Sequence, residues 1–409
     1  MNKFLKEFKE RGFFYQCTNE TELSNLLDKK KIRAYIGFDC TAESLHVGSL
    51  LQIMCLRLLQ KHGHQPIVLL GGGTTRIGDP SGKDKTRKIL DENEIEKNIV
   101  NIKKILTTFL DNKDPNTKPI FVNNYTWLKD LNYISFLRDI GKHFTINKML
   151  TFESVKLRLD REQSLSYMEF NYMILQAYDF LELNKKENCL MQIGGSDQWG
   201  NIINGVDLIK RYSNNQCYGL TTPLITLATG AKMGKTENGA IWLDERFLSA
   251  YDYWQFWRNT DDRDVIKFLN FFSELEVLEI NKIKNKNINN LKILLANKAT
   301  EMLHGKKAAE LSEKTAKEVF SENSSGSSLP SINIKLKDLE KKINIIDLVI
   351  LSKLENSRSE VRRLIKSNAI KIDNKIINDE KLIIDESFFR NNYLKISIGK
   401  KRHSKIMIN

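Results

Sequence analysis

The sequence predicts an α/β protein: a parallel sheet wrapped by helices, then a helical region, then a small α+β segment at the C-terminus. Over the first 222 residues, apolar strand-like runs alternate with helical periodicities. The strands do not alternate polar with apolar, as expected of a parallel sheet covered on both faces. Residues 247–320 keep a helical pattern throughout. SENSSGSSLP, residues 321–330, reads as a linker, because it is polar and Ser-rich with Gly and Pro. The expected domains are therefore 1–222, 223–320 (a loop plus helices), the linker 321–330, and 331–409.

Taken in order, residues 1–30 read as one or two short helices. Residues 32–39 predict a strand, and 46–62 a helix ended by Gly63. PIVLLGGGTT, from Pro66, predicts a second buried strand running into glycines. Residues 91–111 are a helical amphipath, 118–123 a third strand, and 132–150 a mixed stretch with helical parts. Ser166 to Leu183 is a strongly apolar helix, followed by a strand at Cys189–Ile193 and a turn at Gly194–Gly195. Another helix begins near Asp197, and Pro223 with ITLATGAKMGKTENG reads as a loop.

The 409 residues are 41% hydrophobic, ordinary for a globular protein with real cores. No run approaches the roughly 18 apolar residues of a membrane helix, so no membrane partner is expected. The mixed-charge N-terminus resembles neither a signal nor a transit peptide, so a cytoplasmic home is expected. Cys17, Cys40, Cys55, Cys189 and Cys217 are scattered and odd in number; reduced thiols and no protein-bound structural metal are expected. The net charge is +13, of which +8 falls in residues 331–409, with 18 Lys or Arg against 10 Asp or Glu. That suits a nucleic-acid or acidic-lipid partner, or a solvated basic surface.

Four stretches could carry chemistry. GFDCTAESLHVGSL, Gly37 to Leu50, lies between strand and helix, with His46, Gly48 and Ser49 where the helix should begin. A helix start offers unpaired N–H groups and a positive dipole end, which suit an anion; an ordinary strand-to-helix turn fits equally. GGGTTRIGDPSGK, residues 71–83, fits neither the dinucleotide fingerprint, since Arg76 replaces the third Gly, nor the P-loop, which it misses by one residue. Its glycines permit close backbone approach to a ligand, and Asp79 is a carboxylate beyond a buried strand.

In the helix 166–183, Tyr172, Gln176 and Asp179 fall at i, i+4 and i+7, a polar stripe on an apolar helix. Such a stripe needs partners: protein, water or a ligand in a cavity. AKMGKT, residues 231–236, sets Lys232 and Lys235 around a glycine, a mobile cationic clamp suited to phosphates. In SRSEVRRLIKSNAIKIDNKII, Ser357 and Glu360 have capping-box spacing. Arg358, Arg362, Arg363 and Lys366 crowd the helix that follows, a charge pattern that suits RNA backbone or a solvated face.

Together these stretches resemble the bacterial-type tyrosyl-tRNA synthetases of class I, over essentially the whole chain. LHVGSL is similar to the class I "HIGH" signature and KMGKT to its "KMSKS" partner, with QIGGSDQWGN between them. The resemblance implies a Rossmann-like parallel-sheet catalytic domain, an α-helical domain and a small α+β RNA-binding domain. It implies tyrosine and ATP converted to tyrosyl-adenylate and pyrophosphate, then tyrosyl transfer to the 3′ end of tRNA(Tyr). Mg2+ would arrive with ATP, and a homodimer is expected.

By that resemblance Tyr35 and Asp179 would bond the phenol hydroxyl, and Asp79, Tyr172 and Gln176 the ammonium group. Asp39, Gln198 and Gln192 would complete the tyrosine pocket. Thr41 and His46 would stabilise the departing pyrophosphate. Gly37, Gly48, Ser49 and Met233 would lie at ATP, with Gly195 and Asp197 at its ribose. Lys232, Lys235 and Thr236 would close over the phosphates. Lys83 and Arg87 would lie near the acceptor end of tRNA, with Arg358, Arg362, Arg363 and Lys366 also at tRNA.

The chemistry agrees, because the attacking carboxylate is already ionised and needs no base, only positioning and donors aimed at growing charge. This sequence departs from the family pattern at Ser49, which replaces the second signature His, and at Cys40, where the family often has Pro. A tryptophan-specific sister, a non-catalytic RNA-binding protein and a plain nucleotidyltransferase are the competing readings. Asp179 with Tyr35, the lysines with His46 and Asp197, and the basic tail respectively argue against them.

Overall fold

A computed structural model describes residues 2–79, 90–231, 233–236, 239–320, 331–334, 343–389, 393–399 and 402–408; the side chains of residues 153, 154, 235, 236, 319, 320 and 331 are outside the description. The chain divides into two compact units, residues 1–248 with 256–303, and residues 249–255 with 304–409.

The first unit is built on a six-stranded sheet. Its strands are β1 (Gln16–Cys17), β2 (Arg33–Phe38), β3 (Gln65–Leu70), β4 (Ile120–Asn123), β5 (Cys189–Gly195) and β6 (Tyr218–Thr222). The spatial order is β1-β6-β5-β2-β3-β4. All neighbours are parallel except β1 with β6. β2 faces β3 on one side and β5 on the other, with Tyr35 opposite Ile67 and Gln192. The chain thus winds outward in both directions from β2 and β5. The crevice beyond the carboxyl ends of those two strands is where an open α/β sheet binds ligands.

The helices follow from their caps and apolar faces. α1 (Lys3–Glu10) and α2 (Glu20–Lys29) are N-capped by Asn2 and Asn19. α3 (Leu50–Lys61) buries eight of its twelve residues. α4 (Glu92–Phe109) opens on a complete capping box, Asp91 with Glu94. α5 (Tyr167–Glu187) opens on another, Ser166 with Glu169, and ends at Asn188 in the left-handed region (φ 49°). α6 (Trp199–Ser213) packs with α5 over a core that includes Tyr35, Ile67, Phe180, Leu181 and Ile209. Further on, α7 (Val265–Phe272) buries Val265, Phe268, Leu269, Phe271 and Phe272.

The second unit holds a five-stranded sheet, β12-β11-β14-β15-β9: β9 (Ser331–Ile334), β11 (Ile370–Ile372), β12 (Lys375–Ile376), β14 (Tyr393–Ile398) and β15 (Arg402–Ile408). A small pair, β10 (Ile343–Asn344) with β13 (Ile383–Ile384), accompanies it. α8 (Ile345–Leu351) and α9 (Arg358–Lys366) close its core through Leu348, Val349, Val361 and Ile365.

The predicted class holds, with corrections. Residues 1–30 also contain the edge strand β1. The sequence reading missed β6 altogether: YGLTT offers only five residues, two of them Thr and one Gly. Gly194 and Gly195 continue β5 rather than turning. The Gly71–Gly73 run does not extend β3 but forms a helical turn, Gly72–Thr75. The expected loop after Pro223 contains a small hairpin, β7 (Lys235–Thr236) with β8 (Gly239–Ala240). The continuous helical pattern of 247–320 is several separate helices. The linker 321–330 lies outside the described residues.

Candidate active site

A cavity of about 330 Å³ opens at the ends of β2 and β5. It is lined by Tyr35, Gly37 and Asp39 from β2 and its exit, and by Gln192 and Gly195 from β5. Gly48 and Ser49 border it ahead of α3; Asp79 comes from a loop, Asp197 and Gln198 from the short helical turn Ser196–Gln198 after β5, and Tyr172, Gln176 and Asp179 from one face of α5. The i, i+4, i+7 stripe therefore faces a cavity, as its burial requires.

Three oxygens on this wall are buried and have no hydrogen-bond partner among the described residues: Tyr35 Oη, Gln192 Oε1 and Gln52 Oε1. Orphaned buried polar atoms are rare and costly, so three around one cavity mark a polar ligand site. Burial and the neighbouring Asp179 charge hold the Tyr35 phenol well above its ordinary range, so it stays a neutral donor. Asp179 is 2% exposed. It accepts from Asn124 Nδ2 at 2.9 Å and from Trp127 Nε1 at 2.8 Å. Burial nevertheless raises its carboxyl to about 7, against an ordinary 3.8.

The rest of the wall is acidic and cross-linked. Tyr172 Oη donates to Asp39 Oδ2 at 3.1 Å, and Thr74 Oγ1 donates to Asp39 Oδ1 at 3.0 Å. Gln198 Nε2 donates to Asp79 Oδ2 at 3.0 Å. Asn201 Nδ2 reaches both Gln176 Oε1 (3.0 Å) and Gln198 Oε1 (3.1 Å). Four carboxylates, Asp39, Asp79, Asp179 and Asp197, thus line one small cavity, which favours a cationic group on the ligand. Among the described residues no group of three or more His, Cys, Asp or Glu is arranged to hold a metal ion.

The helix end of the loop contributes in a different way. His46 N-caps the short turn Val47–Ser49, its Nδ1 accepting from Gly48 N at 2.9 Å. Thr41 and His46 do not line the cavity. Thr41 is exposed. His46 instead meets the segment after the second signature: backbone bonds Val47 N to Ile241 O (2.9 Å) and Leu243 N to Leu45 O (2.9 Å) join residues 241–243, just past β8, to the residues around His46. A Cβ on Gly48 would lie 3.0 Å from Met233 O. Met233 is buried but does not line the cavity either. Lys232, Lys83 and Arg87, and the side chains of Lys235 and Thr236, lie outside the described residues.

The two departures acquire physical content. Cys40 N donates to Thr75 Oγ1 at 2.8 Å, a bond that proline could not make. The Cys40 thiol is fully buried and burial pushes it up to about 12, so it is no reactive thiolate. Ser49 lines the cavity and makes no capping bond. One turn along α3, Gln52 also lines the cavity, with Nε2 donating to Thr222 Oγ1 at 2.8 Å. Sequence reasoning missed Gln52, although i, i+3 spacing from Ser49 puts the two on one face. It also missed Asn124 and Trp127, which hold Asp179.

The glycines at 71–73 approach their own chain, not an open ligand site. A Cβ on Gly71 would fall 2.5 Å from Asp39 Oδ1, one on Gly72 would overlap Asn123, and Gly73 N donates to Asn124 Oδ1 at 2.7 Å. In the second unit, Arg358, Arg362, Arg363 and Lys366 are exposed on α9, while Val361 and Ile365 are buried. Leu364, beside them, is half-buried. Ser357 accepts from Glu360 N, but the Glu360 carboxylate pairs with Arg363 at 2.7 Å, so only half the box forms. Arg358 pairs with Asp347.

Residues 27–321 match the family described as tRNA synthetases class I (W and Y). Residues 322–406 match the tyrosine–tRNA ligase SYY-like C-terminal domain. Over 99% of both chains, the sequence is 76% identical to the tyrosine–tRNA ligase of Pelagibacter ubique. It is 52% identical to that of Wolbachia from Brugia malayi, over 100% of this chain and 99% of the relative. The fold matches a C-terminally truncated Aspergillus nidulans mitochondrial tyrosyl-tRNA synthetase with a TM-score of 0.70 and 29% identity, covering 78% of this chain and 94% of that one. The fold and the paired signatures thus define a class I aminoacyl-tRNA synthetase. Within that class, the chain belongs to the tyrosine–tRNA ligase family.

Proposed function

We propose that this protein joins tyrosine to tRNA(Tyr) in two steps. The tyrosine carboxylate attacks the α-phosphorus of ATP and pyrophosphate leaves; then a 3′-terminal hydroxyl of the tRNA attacks the carbonyl and AMP leaves. The observation that carries this reading is the Tyr35 hydroxyl, without a partner among the described residues, beside buried Asp179 in a cavity that Asp39, Asp79 and Asp197 also line. A phenol hydroxyl satisfies Tyr35 and Asp179, and an ammonium suits Asp79, Tyr172 and Gln176. Asp39, Gln192 and Gln198 complete that pocket.

In the same reading Ser49 and Gln52 reach toward the nucleotide, with Gly195 and Asp197 at its ribose. Gly37, Gly48 and Met233 border it. Thr41, His46, Lys232, Lys235 and Thr236 stabilise the pyrophosphate, so catalysis rests on positioned donors. Magnesium enters as part of the MgATP substrate. Lys83 and Arg87 attend the acceptor end. The division into a catalytic domain (1–222), a loop and helical domain (223–320), a linker and an RNA-binding domain (331–409) follows this assignment. The cytoplasm is its expected place, and among the described residues no helix is long and apolar enough to cross a membrane. Tyr133, Ile134, Leu137, Ile146 and Tyr167 are large, apolar and exposed, which supports an isologous dimer; sedimentation as a monomer would remove that part.

Pyrophosphate exchange into ATP tests the whole reading. Exchange is expected with tyrosine and not with phenylalanine or tryptophan. Tyrosine-specific synthetases are themselves the reference case for such discrimination, on the order of 10⁵ against phenylalanine; that figure is theirs and is not obtained from this geometry. Exchange with tryptophan, or with no amino acid, overturns the assignment. For the basic helix, Arg362→Glu with Lys366→Glu should raise KM for tRNA about tenfold or more at low salt and leave exchange unchanged.

A further inference from the structure

The segment leading into KMGKT is a tight hairpin held by an unusual pair. Met233 N donates to Ile225 O at 3.1 Å, Leu227 N to Ala231 O at 2.8 Å, and Gly230 N to Leu227 O at 2.8 Å. Its returning arm runs into Gly234, whose added Cβ would lie 2.7 Å from His46 Nδ1 and 3.0 Å from Gly48 N. The hairpin therefore sets where the second signature meets the first. Its outgoing arm is gripped from elsewhere in the fold.

Asp264, 3% exposed, precedes α7. It stands at the N-cap position but makes no side-chain cap bond to its own helix. Its Oδ2 instead accepts from Ala228 N at 2.7 Å. Its Oδ1 pairs with Lys267 Nζ at 2.6 Å, and the same Nζ donates to Thr226 O at 3.0 Å. Asp264 and Lys267 thus close a ring through two backbone groups of one hairpin arm. A buried carboxylate is costly unless paired and hydrogen-bonded, and both of these compensations here fix the hairpin. Thr226, Gly230 and Ala231 are exposed, so packing supplies little of that order.

We propose that Asp264 and Lys267 are positioning residues for the ATP half of the site. They latch the Thr226–Ala228 arm so that Met233 meets Gly48 and Gly234 meets His46, and they act on the nucleotide step without touching substrate. This rests on the reading of the site as tyrosine-activating.

The test uses the full chain with Asp264→Ala, Asp264→Asn and Lys267→Met. Tyrosine Kd is measured by equilibrium dialysis, and kcat and KM for ATP by exchange at saturating tyrosine. Asp264→Ala should lower kcat/KM for ATP about ten- to hundredfold, the scale of losing a charged hydrogen bond and its pair. Tyrosine Kd should stay within about twofold, since no residue of the latch lines the cavity. Asp264→Asn, which keeps an acceptor for Ala228 N, should recover part of the loss, and Lys267→Met should fall between. Unchanged ATP parameters in Asp264→Ala, or a parallel loss of tyrosine affinity, overturn the latch. If Asp264→Ala does not fold, wild-type ATP parameters in both other variants overturn it. Exchange by the unmodified protein separates the two readings: its absence removes the tyrosine-activating assignment, whereas its presence with unaffected variants removes the latch alone.

Discussion

Asp179→Asn is expected to lower kcat/KM for tyrosine about 10³-fold, in a protein that still folds but with a thermal midpoint a few degrees lower. The carboxylate accepts from Asn124 Nδ2 and Trp127 Nε1, and the tyrosine phenol would be its third donor. An amide has one oxygen and a donating NH2. It must turn a donor toward Asn124, Trp127 or the substrate. Hydrogen bonds to a charged group contribute about 1.5–3 kcal/mol each, and a frustrated buried donor adds to the cost, so a loss of about 4 kcal/mol is the scale.

The sign of the pH dependence follows from the same group. Burial raises its carboxyl from 3.8 to about 7, so the folded protein holds a proton there that the unfolded chain has already released. Stability from this group is present at low pH and is lost as pH rises through that window. Tyrosine binding runs the other way, because the phenol donates to the ionised carboxylate. Tyrosine affinity should fall about tenfold between pH 8 and pH 6 in the wild type, and Asp179→Asn should flatten the profile. A wild-type affinity that is constant over that range would mean either that Asp179 does not titrate there or that it does not receive the phenol.

What the sequence revealed of this site, and what it did not, divides along the line between local and tertiary information. Tyr172, Gln176 and Asp179 were legible because helical period is local and a polar stripe on an otherwise apolar helix has to face something. The strands β2, β3 and β5 were legible from their local apolar runs, although the ends of β3 and β5 were not. Asn124 and Trp127 were not: they lie 55 and 52 positions from Asp179, and only the packing of the turn after β4 against α5 brings them there. The Gly71–Gly73 run signalled close approach correctly but not to what, since side chains of the same unit fill the space. Charge counting found α9 but not that Glu360 and Asp347 already hold two of its arginines. Thr41 and His46 were placed at the phosphates by a signature, and a signature carries no distance; hence it did not show that Gly48 and Ser49 line the cavity while Thr41 and His46 do not.

Gly234 carries the other large effect. Its φ of +103° is one that side-chain-bearing residues rarely adopt, and an added Cβ would strike the His46 ring and the Gly48 amide. Gly234→Ala should therefore move KMGKT away from His46. Gly230 is the matched control: its φ is +83°, in the same segment, and a Cβ there would meet nothing within 4 Å. Gly230→Ala carries only backbone strain, about 1–2 kcal/mol. Gly234→Ala carries that strain plus a steric conflict at the junction of the two signatures. Exchange should fall more than about 10²-fold in Gly234→Ala and less than about tenfold in Gly230→Ala, with tyrosine Kd unchanged in both. Equal losses in the two variants would assign the effect to strain within the loop and remove the contact with His46 as a determinant of the nucleotide step. A large difference confined to ATP parameters would place the catalytic requirement at that contact, where two segments almost two hundred residues apart must meet within van der Waals distance.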